Sequence, residues 1–307
     1  MTFYSPIVIF IYKRPLHLAK TLKSLSNCEG FEKHSIYIFG DGPKNENENI
    51  FVQETRNVAK SFFGDRAQYF FSNKNKGLAN SVIDGVTDII NKYQSVIVIE
   101  DDLLLHSHFL VYMNNALNHY SSKENIFSVS GYMYETEILK GSKYAILLPI
   151  ISTWGWGTWA RAWSKLDSKC IDSIKLLENK KLRKNFDCNN NYPFSMMLKR
   201  QLNGSIDSWG IRWYWTIFRK DALTCFPPIS LVKNNGFDNS ATHGRGFLSK
   251  FGINKPNEIL ETKDIILFKE NNTFDPDLYK KVCNSLYKLN GGFLGKLRDY
   301  IKKILLK

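Results

Sequence analysis

The sequence has no apolar run near the roughly 20 residues that a membrane-spanning helix requires. Its longest runs, around Ile7–Tyr12 and Ile146–Ile151, stop far short. Cysteine is scarce: Cys28, Cys170, Cys188, Cys225 and Cys283 are far apart, odd in number and never arranged as C-x-x-C. Neither a disulfide framework nor a zinc cluster is therefore indicated, and a reducing cytosol is the natural setting. No basic residue precedes the first apolar run, so a signal peptide is not expected. There is no internal repeat and no long low-complexity linker, so one compact unit is expected. Acidic residues are the minority, 29 Asp and Glu against 42 Lys and Arg, for a net charge of +13. Such a balance suits nucleic acid, an anionic membrane surface or phosphate-bearing substrates. No recognised nucleic-acid-binding motif accompanies it, so nucleic acid is not an expected partner. With 43% hydrophobic residues the chain can build a sizeable core.

The first hundred residues alternate strand and helix. Pro6–Tyr12 is a continuous apolar run, as a buried parallel strand should be. Pro15 suits a first helical turn, and Leu16, Ala19, Leu22 and Leu25 follow at helical spacing. Ser35–Phe39 reads as a strand, Phe51–Phe63 as a helix and Gln68–Phe71 as a strand. Leu78, Val82, Val86 and Ile89 mark a helix, and Ser95–Ile99 a strand. The pattern predicts an α/β fold with a mostly parallel sheet flanked by helices, whose ligands bind beyond the carboxyl ends of the strands. Lys13-Arg14, Asp41 and Glu100-Asp101-Asp102 all sit at such ends. The second half is less regular. It holds a Trp/Gly-rich stretch (Trp154–Trp163), a polar helical region near 172–203, an aromatic stretch (Trp209–Phe218) and a Gly/Asn/His loop (Asn234–Arg245).

Glu100-Asp101-Asp102 carries the sharpest chemical signal. Three carboxylates at the end of a buried strand repel one another, and a hard divalent cation, Mn²⁺ or Mg²⁺, relieves this. The alternative is a solvated strand end, or pairing with Lys and Arg. Asp41, between Gly40 and Gly42, is placed either to accept from a base N–H or to cap its own turn. Asn75–Ser81 opens a helix whose N-terminus can face anionic groups, or is an ordinary capped helix. His106 and His108 are explained by helix or loop surface.

In order, strand-KRP, strand-GDG, N-K-G-L-A-N-S and strand-EDD resemble the GT-A (Rossmann-like) glycosyltransferase fold, especially its inverting members. In the second half, Thr153–Trp159 with Trp163, Ile206-Asp207-Ser208-Trp209, and Asn234–Asp238 through Thr242-His243 are similar to bacterial surface-polysaccharide sugar transferases and to the N-acetylglucosaminyltransferase I family. The resemblance covers roughly residues 5–245. It departs from the latter family at Ser208, which stands where that family has the second Asp of Asp-Asp-Trp.

The resemblance implies a metal-dependent inverting transfer from a nucleotide sugar, UDP-linked N-acetylglucosamine or hexose, to a glycan acceptor in surface-polysaccharide synthesis. It implies Asp102 as the direct metal ligand and His243 at the metal or diphosphate, with a surface loop residue as the alternative for His243. Glu100 and Asp101 would lie against ribose or donor sugar, Asp41 and Arg14 near the nucleotide, and Lys76 at the anionic donor. Asp207 would be the general base, with a helix N-cap as its alternative role. Of Trp154, Trp156 and Trp159, Trp156 is expected to touch sugar and the others to be core. The expected division is a catalytic domain over 1–250, with a nucleotide-binding half at 1–102 and an acceptor half at 103–250. An extension follows over 251–290 and a helix over 291–307.

The tail FLGKLRDYIKKILLK, residues 293–307, places Phe293, Leu297, Ile301 and Ile304 on one helical face and five positive charges elsewhere, against Asp299 alone. It reads as a membrane-surface helix, or as one packed on the domain. The first reading would place the protein peripherally on the inner face of the cytoplasmic membrane, where a lipid-linked acceptor would lie. Competing classes are an inactive carbohydrate-binding or nucleic-acid-binding relative, and a sugar nucleotidyltransferase. Tyr12-Lys13-Arg14-Pro15 lacks the glycines expected of a nucleotidyltransferase's N-terminal loop.

Overall fold

The computed structural model describes residues 3–236, except 135, 137, 138 and 140, together with residues 265–292 and 295. Its strands are β1 (Ile7–Ile11), β2 (Ile36–Gly40), β3 (Ala67–Phe71), β4 (Ser95–Glu100), β5 (Leu103–Leu105), β6 (Ile126–Ser130), β7 (Ile146–Leu148), β8 (Trp156–Trp159), β9 (Leu223–Phe226) and β10 (Val232–Asn234). Its helices are α1 (Pro15–Ser26), α2 (Glu46–Phe63), α3 (Leu78–Ile90), α4 (Phe109–His119), α5 (Ala160–Trp163), α6 (Ser173–Glu178), α7 (Lys180–Phe186), α8 (Phe194–Leu202), α9 (Trp209–Arg219) and α10 (Pro276–Leu289).

An eight-stranded sheet runs in the order β3-β2-β1-β4-β8-β6-β9-β7. The first four strands are parallel, β1 lying between β2 and β4 with Phe10 opposite Glu100. Beyond β4 the sheet is mixed: β8 is antiparallel to both β4 and β6, β6 is parallel to β9, and β7 is antiparallel to β9. This is a Rossmann-like α/β architecture. Successive residues of β1 face opposite layers, as a strand's period of two requires. Val8 and Phe10 join Val82, Val86 and Trp213 on one face; Ile7, Ile9 and Ile11 join Leu18, Leu22 and Ala116 on the other. Helices therefore cover both faces, and this is why β1 is apolar at every position.

Two elements differ from the sequence reading. Helix α2 begins at Glu46, not Phe51, because the Asn45 side chain caps it, accepting from Glu48 N, with Glu46 and Glu48 in the first turn. That polar turn adds nothing to the apolar periodicity. The Trp/Gly-rich stretch contains β8, which joins the parallel and mixed halves of the sheet. A second sheet pairs β10 antiparallel to β5, with Asn234 opposite Leu103, and so carries residues 234–236 to the acidic end of β4.

Among the described residues no helix is long and apolar enough to cross a membrane. The amphipathic tail 293–307 lies outside them except for Gly295. All five cysteines are free and buried.

Candidate functional site

Because β1, β2 and β4 are parallel neighbours, Tyr12-Lys13-Arg14, Asp41 and Glu100-Asp101-Asp102 emerge along one edge of the sheet. Asp102 is the centre of this edge. Its Oδ2 accepts from Arg14 Nη1 at 2.8 Å, while its backbone carbonyl accepts from Asn235 N at 2.8 Å. Its Oδ1 is buried with no hydrogen-bond partner among the described residues. Gly236 lies directly over the pair: a Cβ there would be 2.1 Å from Asp102 Oδ2 and 2.6 Å from Arg14 Nη1, so no larger residue fits unless both shift. Asp101 turns the other way, its Oδ2 accepting from Tyr12 N at 3.0 Å.

Desolvation raises all three carboxyls. Burial, then the charges of Asp102 and Asp101, pushes Glu100 up to about 8. Burial, then Asp102, pushes Asp101 up to about 7 against the favourable Tyr12 N–H. Burial raises Asp102 too, opposed chiefly by Arg14. If all three ionised, the cluster would hold more negative charge than one guanidinium neutralises, which is why their protons are retained. Among the described residues no three His, Cys, Asp or Glu side chains converge on a single metal position. An orphaned buried carboxylate oxygen within an under-neutralised acidic cluster nevertheless fits a hard cation that takes one or two carboxylates from the protein and the rest of its shell from phosphate and water.

Asp41 caps its own turn, the second of its two expected settings, and also reaches the loop after β3. Its Oδ1 accepts from Gly42 N at 2.9 Å and Lys76 N at 2.8 Å, and its Oδ2 from Gly77 N at 2.9 Å. The carboxylate thus fastens the loop after β3 to the end of β2. The Lys76 ammonium pairs with Asp84 on α3 at 3.3 Å, both side chains about half exposed. Gly77, at φ +79°, brings that loop to α9: Asp207 Oδ2 lies 3.6 Å from the position a Gly77 Cβ would take. Asp207 is exposed, and its Oδ1 accepts from Arg212 Nη2 at 2.5 Å. It does not cap α9; Ser208 does, accepting from Ile211 N.

Trp156 does not face a sugar. It is 1% exposed, on a core strand, stacked on Trp209 at 4.8 Å between ring centroids, because β8 lies inside the sheet. Trp159 is core as expected, its Nε1 donating to Leu117 O. Trp154, expected to be core, is partly exposed beside Tyr132. His243 lies outside the described residues.

The sequence reading missed residues that tie the loops together. Arg56 is buried on α2; its Nη2 donates to Asp41 O at 3.1 Å and Ser72 O at 2.6 Å, with the guanidinium over the Phe71 ring. The available signal was its position in the apolar stripe of Val52, Thr55, Ala59 and Phe63. Tyr12 Oη donates to Glu48 and accepts from Lys44 N at 3.0 Å and Asn75 Nδ2 at 3.3 Å, joining the loops after β1, β2 and β3.

No protein-family model matches the chain, and no curated protein matches it in sequence. Comparison with solved structures finds distant likenesses. A cytidylyltransferase from Leptospira borgpetersenii serovar Hardjo-bovis is similar at 14% identity and a TM-score of 0.36, over 54% of this chain and 65% of that one. The chain therefore spans less than two thirds of that protein. A mannosyltransferase from Pyrobaculum calidifontis, in complex with GDP-Man and Mn²⁺, is similar at 10% identity and 0.40, over 72% and 70%. A UDP-glucose pyrophosphorylase complexed with UDP-glucose is similar at 13% identity and 0.39, over 81% and 98%. Likeness of this degree assigns neither activity nor substrate to this chain.

Proposed function

We propose that this protein is a metal-dependent inverting glycosyltransferase that moves a sugar from a nucleotide sugar, UDP-linked N-acetylglucosamine or hexose, to a glycan acceptor. The observation that carries the reading is Asp102: a carboxylate at the end of a central parallel strand, with Oδ1 buried and, among the described residues, unpartnered, beside two further carboxyls of raised pKa. Asp102 would hold Mn²⁺ or Mg²⁺, with His243 a second ligand. The metal, when bound, neutralises charge on the departing nucleoside diphosphate.

The chain's own groups do the rest. Arg14, which donates to Asp102, would also meet a phosphate of the donor. Asp41, which fastens the 75–77 loop, would hold it in position for the nucleotide, and Tyr12 and Asn75 join it to the neighbouring loops. Glu100 and Asp101 would lie against ribose or donor sugar. Asp207, exposed and oriented by Arg212, would take the acceptor hydroxyl's proton. Residues 1–102 would form the donor half, 103–250 the acceptor half and 251–290 an extension. A lipid-linked acceptor at the inner face of the cytoplasmic membrane would suit the basic tail 291–307.

Donor hydrolysis tests this. The protein would be incubated with a panel of nucleotide sugars, with and without Mn²⁺, beside Asp102→Ala. Metal-dependent release of the nucleoside diphosphate from one donor, lost in the variant, is expected. Release of pyrophosphate from a nucleoside triphosphate and a sugar 1-phosphate would indicate a nucleotidyltransferase instead. Absence of both turnover and metal-dependent UDP binding would leave a binding protein.

A further inference from the structure

Helices α6 and α7 carry an apolar and basic surface that the proposed reaction does not use. Ile171 is 67% exposed, Ile174 55% and Leu182 39%. Burial on the inner side explains why they stay out: Ser173, Leu176 and Phe186 already fill it. The Arg183 guanidinium donates to Leu177 O, locking α7 to the end of α6. Along the same stretch of chain, Lys169, Lys175, Lys180, Lys181 and Lys184 are also exposed. Residues 169–184 hold six Lys and Arg against Asp172 and Glu178, and Asp172 lies 3.8 Å from Arg219.

We propose that this α6–α7 surface docks on an anionic lipid bilayer, Ile171, Ile174 and Leu182 entering the headgroup boundary while the lysines meet lipid phosphates. The inference does not rest on the sugar-transfer reading. The chemistry selects the partner. Protein interface centres are depleted in lysine, whereas here lysine dominates. Long lysine stems reach past a buried aliphatic layer to charged headgroups. Branched aliphatic chains offer no face for stacking bases. Two copies of a surface with this charge repel each other.

The full-length protein would be sedimented with phosphatidylcholine vesicles with and without phosphatidylglycerol, at physiological salt. Binding only to the anionic vesicles is expected. Either Ile171→Ser/Ile174→Ser or Lys180→Glu/Lys181→Glu should weaken it by roughly tenfold or more, with unchanged circular dichroism and melting temperature. Because all native thiols are buried, Ile174→Cys can be labelled alone with an environment-sensitive fluorophore. Its emission should shift to the blue on anionic vesicles. Undiminished binding by both double variants, or an unshifted probe on protein that sediments, would place the membrane contact elsewhere and overturn the proposal. So would failure to bind the anionic vesicles; a salt-sensitive RNA gel shift lost in Lys180→Glu/Lys181→Glu would then assign the surface to nucleic acid.

Discussion

Asp102 and its neighbours show how crowding stores a demand for positive charge. Glu100 ordinarily titrates at 4.5 and Asp101 at 3.8; in the fold they reach about 8 and about 7. Between these limits the folded chain keeps protons that the unfolded chain has released, so unfolding releases them and metal-free stability falls as pH rises from about 4 to about 8. A bound cation removes the penalty, so stabilisation by Mn²⁺ should grow over the same interval. Melting curves in chelator and in Mn²⁺, across pH 5 to about 8.5, check both signs. Glu100→Gln should flatten the metal-free slope; an unchanged slope would remove Glu100 as its source. Gly236 is the second residue at this spot. Gly236→Ala would drive a methyl into Asp102 and Arg14, costing about 1–3 kcal/mol of stability. It should also weaken metal-dependent UDP binding at least tenfold by calorimetry, since Asp102 can no longer take its present position.

Single bonds hold elements together at the loops of the parallel edge. Arg56 bonds two carbonyls at once, at the ends of β2 and β3, from a buried position whose desolvation lowers the guanidinium's pKa. Arg56→Met keeps the apolar stem and strands both carbonyls, so a loss of about 1–3 kcal/mol is expected in urea unfolding. Because the carbonyls belong to Asp41 and Ser72, the KM for donor should rise more than kcat falls. The reverse pattern would mean that Arg56 shapes the fold without shaping the donor loop. The elements themselves were largely legible in sequence. The strands at 7–11, 36–40, 67–71 and 95–100 and the helices from Pro15 and Leu78 follow from apolar runs and 3.6-residue spacing. The start of α2 was hidden because a cap and two glutamates, not apolar residues, set it.

Across the whole molecule, β8 is the seam between the parallel and mixed halves. Trp156 stands there against Trp209, Trp163 and Trp213. Trp156→Ala should therefore cost about 3–5 kcal/mol of stability, read by chemical unfolding. A variant of normal stability with weakened donor affinity would instead restore a sugar-stacking role.

The sequence by itself determined the α/β class and the positions of the acidic triplet, Arg14 and Asp41 at strand ends, because periodicity and chain order are local properties. Only the tertiary structure decided that Trp156 is core, that Asp41 spends its carboxylate on three backbone amides, and that Gly236 lies on Asp102 from 134 positions away along the chain. Those facts depend on which strands become neighbours. Strand order is set by how two faces of one sheet are covered at once, and no local pattern encodes that choice.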